Sequence, residues 1–509
     1  MKPFSSPSDP GDPGLDPPSG DSAAGPRSTG GEVPDRLSTS VGLSTGLFDD
    51  LLAAGPVRAA VDDRAWLRAL LDVEAALARA QARLGTVPQR AAETISRVCR
   101  EHAFDPATIG AGATDAGNPV VPLVAALRAT VGPDHARYVH AGATSQDVLD
   151  SAAMLVARRA LGPLRDDVER AATAAARLAE THRDTLLPAR TLLQQALPTS
   201  FGLIAAGWLS ALDAATDRLT LVDGQALAVQ LGGAAGTLAA FGDDGPRLVE
   251  LFAADLGLAA PSLPWHTDRT RLADLAGALG TTAGSLGKIA RDVTLHAQTE
   301  VGELAEERPG GSSTLPHKRN PIAAVTVIAC ASQAPGLVAT LLASMTQEHQ
   351  RAAGAWHAEW RPLRALLESV GSAAYWLRVC LDGLRVDAVR MRSNLDLTGG
   401  ALLAERVSAL LTQRLGRQQA HEIVARATRH SASGAELADR LAAELAGPSR
   451  VAAAPGRAAE PPSAPAPDRA ELTELLDPAG YLGAADQLVD RALHEHAARR
   501  RDPDPEVTP

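Results

Sequence analysis

The stretch Leu272-Ala273-Asp274-Leu275-Ala276-Gly277-Ala278-Leu279, carried on through Leu286, Ile289 and Val293, decides the fold class. Its apolar residues return at steps of three and four, the seam of a helix that buries one face. Lys288, Arg291 and Asp292 fall between them, on the polar side. The pattern predicts one helix from near Leu272 to about Glu303, and roughly 30 residues would span about 45 Å. Helices of that length belong to bundles, not to compact mixed folds. Between Trp66 and Leu84, residues Leu67, Leu70, Leu71, Ala75, Leu77 and Ala78 form a second apolar stripe. Alternating strand patterns are nearly absent, and no internal repeat stands out. The expected class is all-α.

Composition points the same way. Hydrophobic residues make up 45% of the chain but aromatics only 3%, so the core must be mainly Ala, Leu and Val. Ala and Leu are strong helix formers. At 509 residues the chain is too long for one simple core. A net charge of −11 argues against nucleic acid or an anionic membrane as partner. No apolar run is expected to span a bilayer and no secretory signal is evident, so a cytoplasmic location is expected. Cys99, Cys330 and Cys380 lie far apart and form no metal-ligand spacing. They are expected to be small buried residues in a reduced compartment.

Residues 1–43 are rich in Pro, Gly, Ser and Asp and predict a disordered tail. A Pro/Ala-rich stretch near 447–468 predicts a disordered insertion, and 498–509 a second tail. Three helical domains are expected between them: 44–115, a central long-helix bundle over 116–362, and 363–497.

Two helical regions are broken by Arg308-Pro309-Gly310-Gly311-Ser312-Ser313-Thr314-Leu315-Pro316-His317-Lys318-Arg319-Asn320-Pro321. The prolines prevent ordinary helix and the glycines free the backbone. Ser312, Ser313, His317, Lys318, Arg319 and Asn320 are thereby crowded into one loop, over 306–321. Its basic groups, in so acidic a chain, suit an anionic substrate. A solvated interhelical loop would have the same composition; the residue order favours function. A second segment, His140-Ala141-Gly142-Ala143-Thr144-Ser145-Gln146-Asp147-Val148, reads as a turn feeding a helix, with Thr144 or Ser145 as N-cap.

The loop closely resembles the signature of the fumarase/aspartase superfamily, Gly-Ser-Ser-x-Met-Pro-x-Lys-x-Asn-Pro, with Leu315 in place of Met. The segment from His140 is similar to that family's His-x-Gly-x-Thr-Ser-x-Asp. A third stretch, Thr191-Leu192-Leu193-Gln194-Gln195-Ala196, stands where many of its lyases have Thr-His-Gly-Gln-His-Ala. Leu192 and Gln195 replace the two histidines, a departure that favours the muconate cycloisomerase branch over adenylosuccinate or argininosuccinate cleavage. Shorter matches agree with that branch: Ala116–Pro119, Pro264–Thr267, Gln298–Glu303, Trp356–Trp360 and Asn394–Gly400. The resemblance covers about 44–497.

It implies a fumarase/aspartase-like tetramer core of long helices, with each site drawn from several subunits of a homotetramer. It implies a small polycarboxylate substrate and neither cofactor nor metal. Thr144, Ser145, Gln146, Gln195, Lys318 and Asn320 would bind substrate. Ser312 would carry the proton with Ser313 assisting, and His140 and His317 are alternatives. The rival readings are a fumarate-releasing lyase of the same superfamily and a catalytically silent helical oligomer. Leu231-Gly232-Gly233-Ala234-Ala235-Gly236 lacks the strand–turn–helix context of a dinucleotide loop and reads as a turn or close packing. His349, His357, Glu348 and Glu359 have no His-Glu-x-x-His spacing and read as surface or site-lining groups.

Overall fold

A computed structural model describes residues 46–311, 314–429, 431–447 and 465–501. Helix dominates, as the apolar seams require. Helix α1, Asp63–Arg83, begins where Asp62 accepts a hydrogen bond from Ala65 N–H at 2.7 Å. It buries the six stripe residues expected of it.

The centre is a bundle. Its members are α2 (Ser145–Thr181), α3 (Phe201–Gln225), α4 (Thr270–His296), the consecutive pair α5 (Ile322–Ala331) and α6 (Ala334–Ala343), and α7 (Ala355–Asp382). Helix α2 has 37 residues, about 55 Å of rise. Direction follows from the bonds between ends. Asp150, early in α2, meets Arg269 at the start of α4 and Trp356 at the start of α7. Arg177, late in α2, reaches the carbonyl of Asp382 at the end of α7. These three helices therefore run parallel, and α3 and α5–α6 return between them. Leu272, Leu275, Leu279, Leu286, Ile289 and Val293 of α4 are all buried. Alanines such as Ala171, Ala175, Ala276 and Ala290 fill the seams and let the helices approach closely.

Four departures from the sequence expectation have local causes. Helix α4 stops at His296, short of Glu303. Gly302, with φ 64°, turns the chain, and the N–H of Glu303 returns to the carbonyl of His296. Strands also occur: β1 (Leu186–Thr191) pairs antiparallel with β2 (Gln194–Ser200), and β3 (Leu304–Glu306) with β4 (Leu384–Val386). Pro188 and Pro198 hid the first pair, because they interrupt the alternation that marks a strand. An apolar run of membrane-spanning length does exist, Ile322–Ala343, with a mean hydropathy of 1.8 over its best window. It is laid into the bundle as α5 and α6, only 33% buried, with Val325 and Leu342 facing outward. The last helix, Ala485–Arg501, continues past residue 497 and packs on α3, where His496 meets Asp213 at 2.9 Å.

A second, smaller core joins Leu403, Val407, Leu411, Ile423, Leu437 and Leu472. Residues 1–43, most of 447–468, and 502–509 lie outside the described residues, as do Ser312 and Ser313.

Candidate active site

The sequence-predicted residues fall into two groups, at opposite ends of the bundle. The first lies where α2, α4 and α7 begin. Thr144 is the N-cap of α2, and its N–H donates to Asp147 at 3.0 Å. Asp147 is buried and also accepts from the N–H groups of Gly232 and Gly233, each at 2.9 Å. Its Oδ1 stands 2.7 Å from His266 Nε2. The glycine-rich stretch therefore wraps a protein carboxylate, not a phosphate. Gly232 has to be glycine: a Cβ there would lie 2.7 Å from the His266 ring.

Beneath it, Arg269 is 1% exposed and spans two carboxylates. It donates to Asp150 at 2.7 and 3.0 Å and to Glu359 at 3.0 and 2.7 Å. Trp356 Nε1 donates to Asp150, and Gln347 to Glu359. Burial works against the guanidinium charge, but the two carboxylates hold its pKa above the ordinary range. One cation does not fully serve two acids, and burial pushes Glu359 up to about 7 in spite of Arg269.

Gln146 belongs to this network. Its Nε2 donates to Asp150 and to the carbonyl of His266, and its Oε1 accepts from Arg351. Arg351 also ties down the carbonyls of Gly233 and Ala234. With both ends of its amide committed and the side chain buried, Gln146 is tied into this network at the start of α2. Thr144 and Ser145 remain partly open above it, and no hydrogen bond among the described residues engages the Ser145 hydroxyl.

His140 is half-buried at the same end, with φ 59°, a left-handed conformation uncommon outside glycine. Its Nδ1 lies 2.7 Å from Glu74 Oε1. Burial disfavours the charged ring, yet the Glu74 bond and charge, helped by Asp147, hold its pKa above the ordinary value. Glu74 Oε2 is buried with no partner.

The second group lies where α4 ends. Glu303, fully buried, accepts from Arg190 at 2.9 and 2.7 Å, from Asn394 at 2.7 Å, and faces His296 Nδ1 at 2.6 Å. Burial opposes its charge, but these three partners hold it down at about 2. Arg190 lies in β1, so the acid fixes the β1–β2 hairpin to the bundle. Gln195, in β2, donates to the carbonyl of Asn394 at 2.9 Å and keeps a buried, unpartnered Oε1. The signature loop rises nearby. Gly310 and Asn320 exchange backbone hydrogen bonds of 2.9 and 3.0 Å, closing its neck. Glu306 accepts from Ala323 N–H and Ala324 N–H and caps α5. His317, Lys318 and Arg319 are exposed and Asn320 is half-buried.

The 27 residues of α4 separate the groups by roughly 40 Å. Within one chain Thr144 and Ser145 cannot share a substrate with Lys318. Several residues of the two networks were not singled out from sequence: Asp147, Asp150, His266, Arg269, Arg351, Arg190 and Asn394. Their available signal was a charge inside an apolar helical stripe, as with Asp147 and Asp150. His357 Nε2 lies 3.0 Å from the carbonyl of Gly117. Among the described residues no cluster of three or more His, Cys, Asp or Glu could hold a metal ion. All three cysteines are buried, with thiol pKa values raised chiefly by burial.

A long-helix bundle with a basic loop at one end and capped carboxylates at the other defines an enzyme of the fumarase/aspartase type. The chain belongs to this lyase family: residues 52–336 match the family described as Lyase, and residues 400–492 match Adenylosuccinate lyase C-terminus. It is 46% identical to a 3-carboxy-cis,cis-muconate cycloisomerase of Pseudomonas aeruginosa, over 90% of this chain and 98% of that one. It is 47% identical to a nitrosuccinate lyase of Streptomyces davaonensis, over 89% and 95%. The crystal structure of the 3-carboxy-cis,cis-muconate lactonizing enzyme from Pseudomonas putida superposes with a TM-score of 0.79 at 41% identity, covering 89% of this chain and 99% of that one.

Proposed function

We propose that this enzyme closes 3-carboxy-cis,cis-muconate to 4-carboxymuconolactone, a step in protocatechuate catabolism. The observation that carries the reading is the near full-length similarity to the Pseudomonas aeruginosa cycloisomerase. Leu192 and Gln195, which stand where the resemblance puts the two histidines of many fumarate-releasing lyases, support it.

The nucleophile is one of the substrate's own carboxylates. Its oxygen bonds to a carbon of the diene, the π pair moves toward the neighbouring carbon, and that carbon takes a proton. Holding the reacting ends together lowers the entropic barrier. Lys318 and Asn320 receive the carboxylate on which charge builds. Thr144 and Ser145 bind a second carboxylate, with Gln146 and Arg351 fixing the helix start beneath them. Ser312 carries the proton, Ser313 assists, and His140 and His317 are the alternatives. The 40 Å scale separation of the two groups, and the outward apolar face of α5–α6, support a homotetramer in which each site combines residues of different copies.

The similarity to nitrosuccinate lyase favours a second reading, elimination from a substituted succinate. One experiment separates them. Purified protein is mixed with 3-carboxy-cis,cis-muconate without added metal or cofactor. The diene's ultraviolet absorbance is followed and the product identified by NMR. Loss with lactone formation is expected. A folded protein that leaves the diene intact but consumes nitrosuccinate would overturn the first reading.

A further inference from the structure

The chain has six tryptophans. A buried indole N–H without an acceptor costs free energy, and native structures leave few of them. Four of the six are satisfied. Trp208 donates to Asp292, Trp265 to the carbonyl of Val229, Trp356 to Asp150 and Trp376 to the carbonyl of Leu51. Trp66 and Trp360 keep buried indole nitrogens with no partner. One comes from α1 and the other from α7, yet both line the same cavity of about 300 Å³.

The floor of that cavity is apolar. Leu67 and Leu70 of α1, Ile109 of the helix Pro106–Ala116, and Leu149 of α2 line it and are all buried. The Trp360 ring is held edge-on against Trp356, with centroids 4.9 Å apart, so this wall is formed before anything binds. The outer lining is polar. Arg364 is taken by Asp63, whereas Arg361 is exposed and makes no hydrogen bond or ion pair among the described residues. None of the residues assigned above to substrate binding or proton transfer lines this cavity.

We propose that the cavity is a binding site for a single-ring aromatic acid that carries an oxygen on its ring, separate from the substrate site. The ring lies on the apolar floor between the two indoles. The ring oxygen accepts from the orphaned N–H groups, and the carboxylate meets Arg361 at the mouth. Each part of this ligand is selected by a feature of the cavity. The unshared guanidinium selects an anion. A volume near 300 Å³ is at the small end of ligand cavities and favours one ring over a nucleotide. Two donors without acceptors select an oxygen inside, since a plain hydrocarbon would leave them unsatisfied. Occupancy would be felt by the Arg269 network, because Leu149 and Trp360 are the chain neighbours of its acids Asp150 and Glu359. The inference does not depend on which reaction the enzyme performs.

The test uses the full-length assembled enzyme and 4-hydroxybenzoate, with binding read by titration calorimetry. One site per chain is expected, with a Kd of about 1 mM or tighter. Benzoate, which lacks the ring oxygen, should bind roughly tenfold more weakly. Arg361→Gln, at an exposed position, and the ring-preserving pair Trp66→Phe, Trp360→Phe should each cost roughly tenfold in affinity. Lys318→Ala should bind as wild type does, which separates this cavity from the substrate site. No binding at about 10 mM would overturn the proposal. Wild-type affinity in either cavity variant, or loss of binding in Lys318→Ala, would do the same, since the ligand would then sit elsewhere. Arg361→Gln decides alone if the tryptophan pair fails to fold.

Discussion

The two ends of the bundle are built on opposite plans. Where α2, α4 and α7 begin, charged groups are closed off by partners from the same chain: Asp147 by two glycine amides and His266, Arg269 by Asp150 and Glu359. Where α4 ends, Glu303 is held as firmly, but what it supports is open. Leu192, Leu193 and Lys318 point away from their own chain. One end is a closed scaffold beneath the partly open Thr144 and Ser145, and the other turns its groups outward. Stability and chemistry should therefore be separable by mutation.

The largest effect tests the scaffold. Arg269→Ala leaves Asp150 and Glu359 buried without their cation and should cost about 3–5 kcal/mol in urea unfolding. A loss below about 1 kcal/mol would mean that water reaches this end and the contrast is false. Lys318→Ala is the converse. Turnover should fall roughly 100-fold or more, about 2.7–4 kcal/mol of barrier, while the unfolding midpoint stays in place. Near-normal turnover would remove Lys318 from the chemistry.

Glu303 sharpens the comparison through pH. Its carboxyl is held at about 2 against an ordinary 4.5, a difference of about 3 kcal/mol. That contribution is complete above 4.5 and is lost as pH falls through about 2. Glu303→Gln should be destabilised at pH 7 and lose less on acidification than wild type. An unchanged acid profile would break the anchor. The smallest effect is expected at Glu359, held up at about 7 by burial. Its charge is a burden above pH 7 that disappears below 4.5. Glu359→Gln should be neutral or up to about 1 kcal/mol more stable at pH 8, with the advantage gone at pH 4.

Much of the fold was legible because a helix seam is a local signal. The residues of the α4 and α1 stripes are buried as their spacing requires. Thr144, one of the two N-cap residues expected, is the cap of α2. Gly302 shows the limit of that logic, because the turn it makes is set by where Glu303 must go to meet Arg190, 113 positions earlier. The paired carboxylates of Arg269 are equally invisible to local pattern, at 119 and 90 positions away. The hairpin was missed for a different reason. Its prolines erase the alternation, and its turn residues are leucines where Asn or Gly would have announced it. The substitutions at Leu192 and Gln195 were visible, but their placement on a rigid stalk was not.

The wide sequence spacing of the first network also bears on synthesis. Asp150 and Trp356 are 206 residues apart. At roughly 5–20 residues per second, about 10–40 s pass on the ribosome between them. Over the first 119 residues of that stretch the acids of α2 lack both Arg269 and Trp356, and over the rest they still lack Trp356. The acids at the start of α2, the longest helix among the described residues, are thus made well before the groups that close them, and wait until the starts of α4 and α7 arrive.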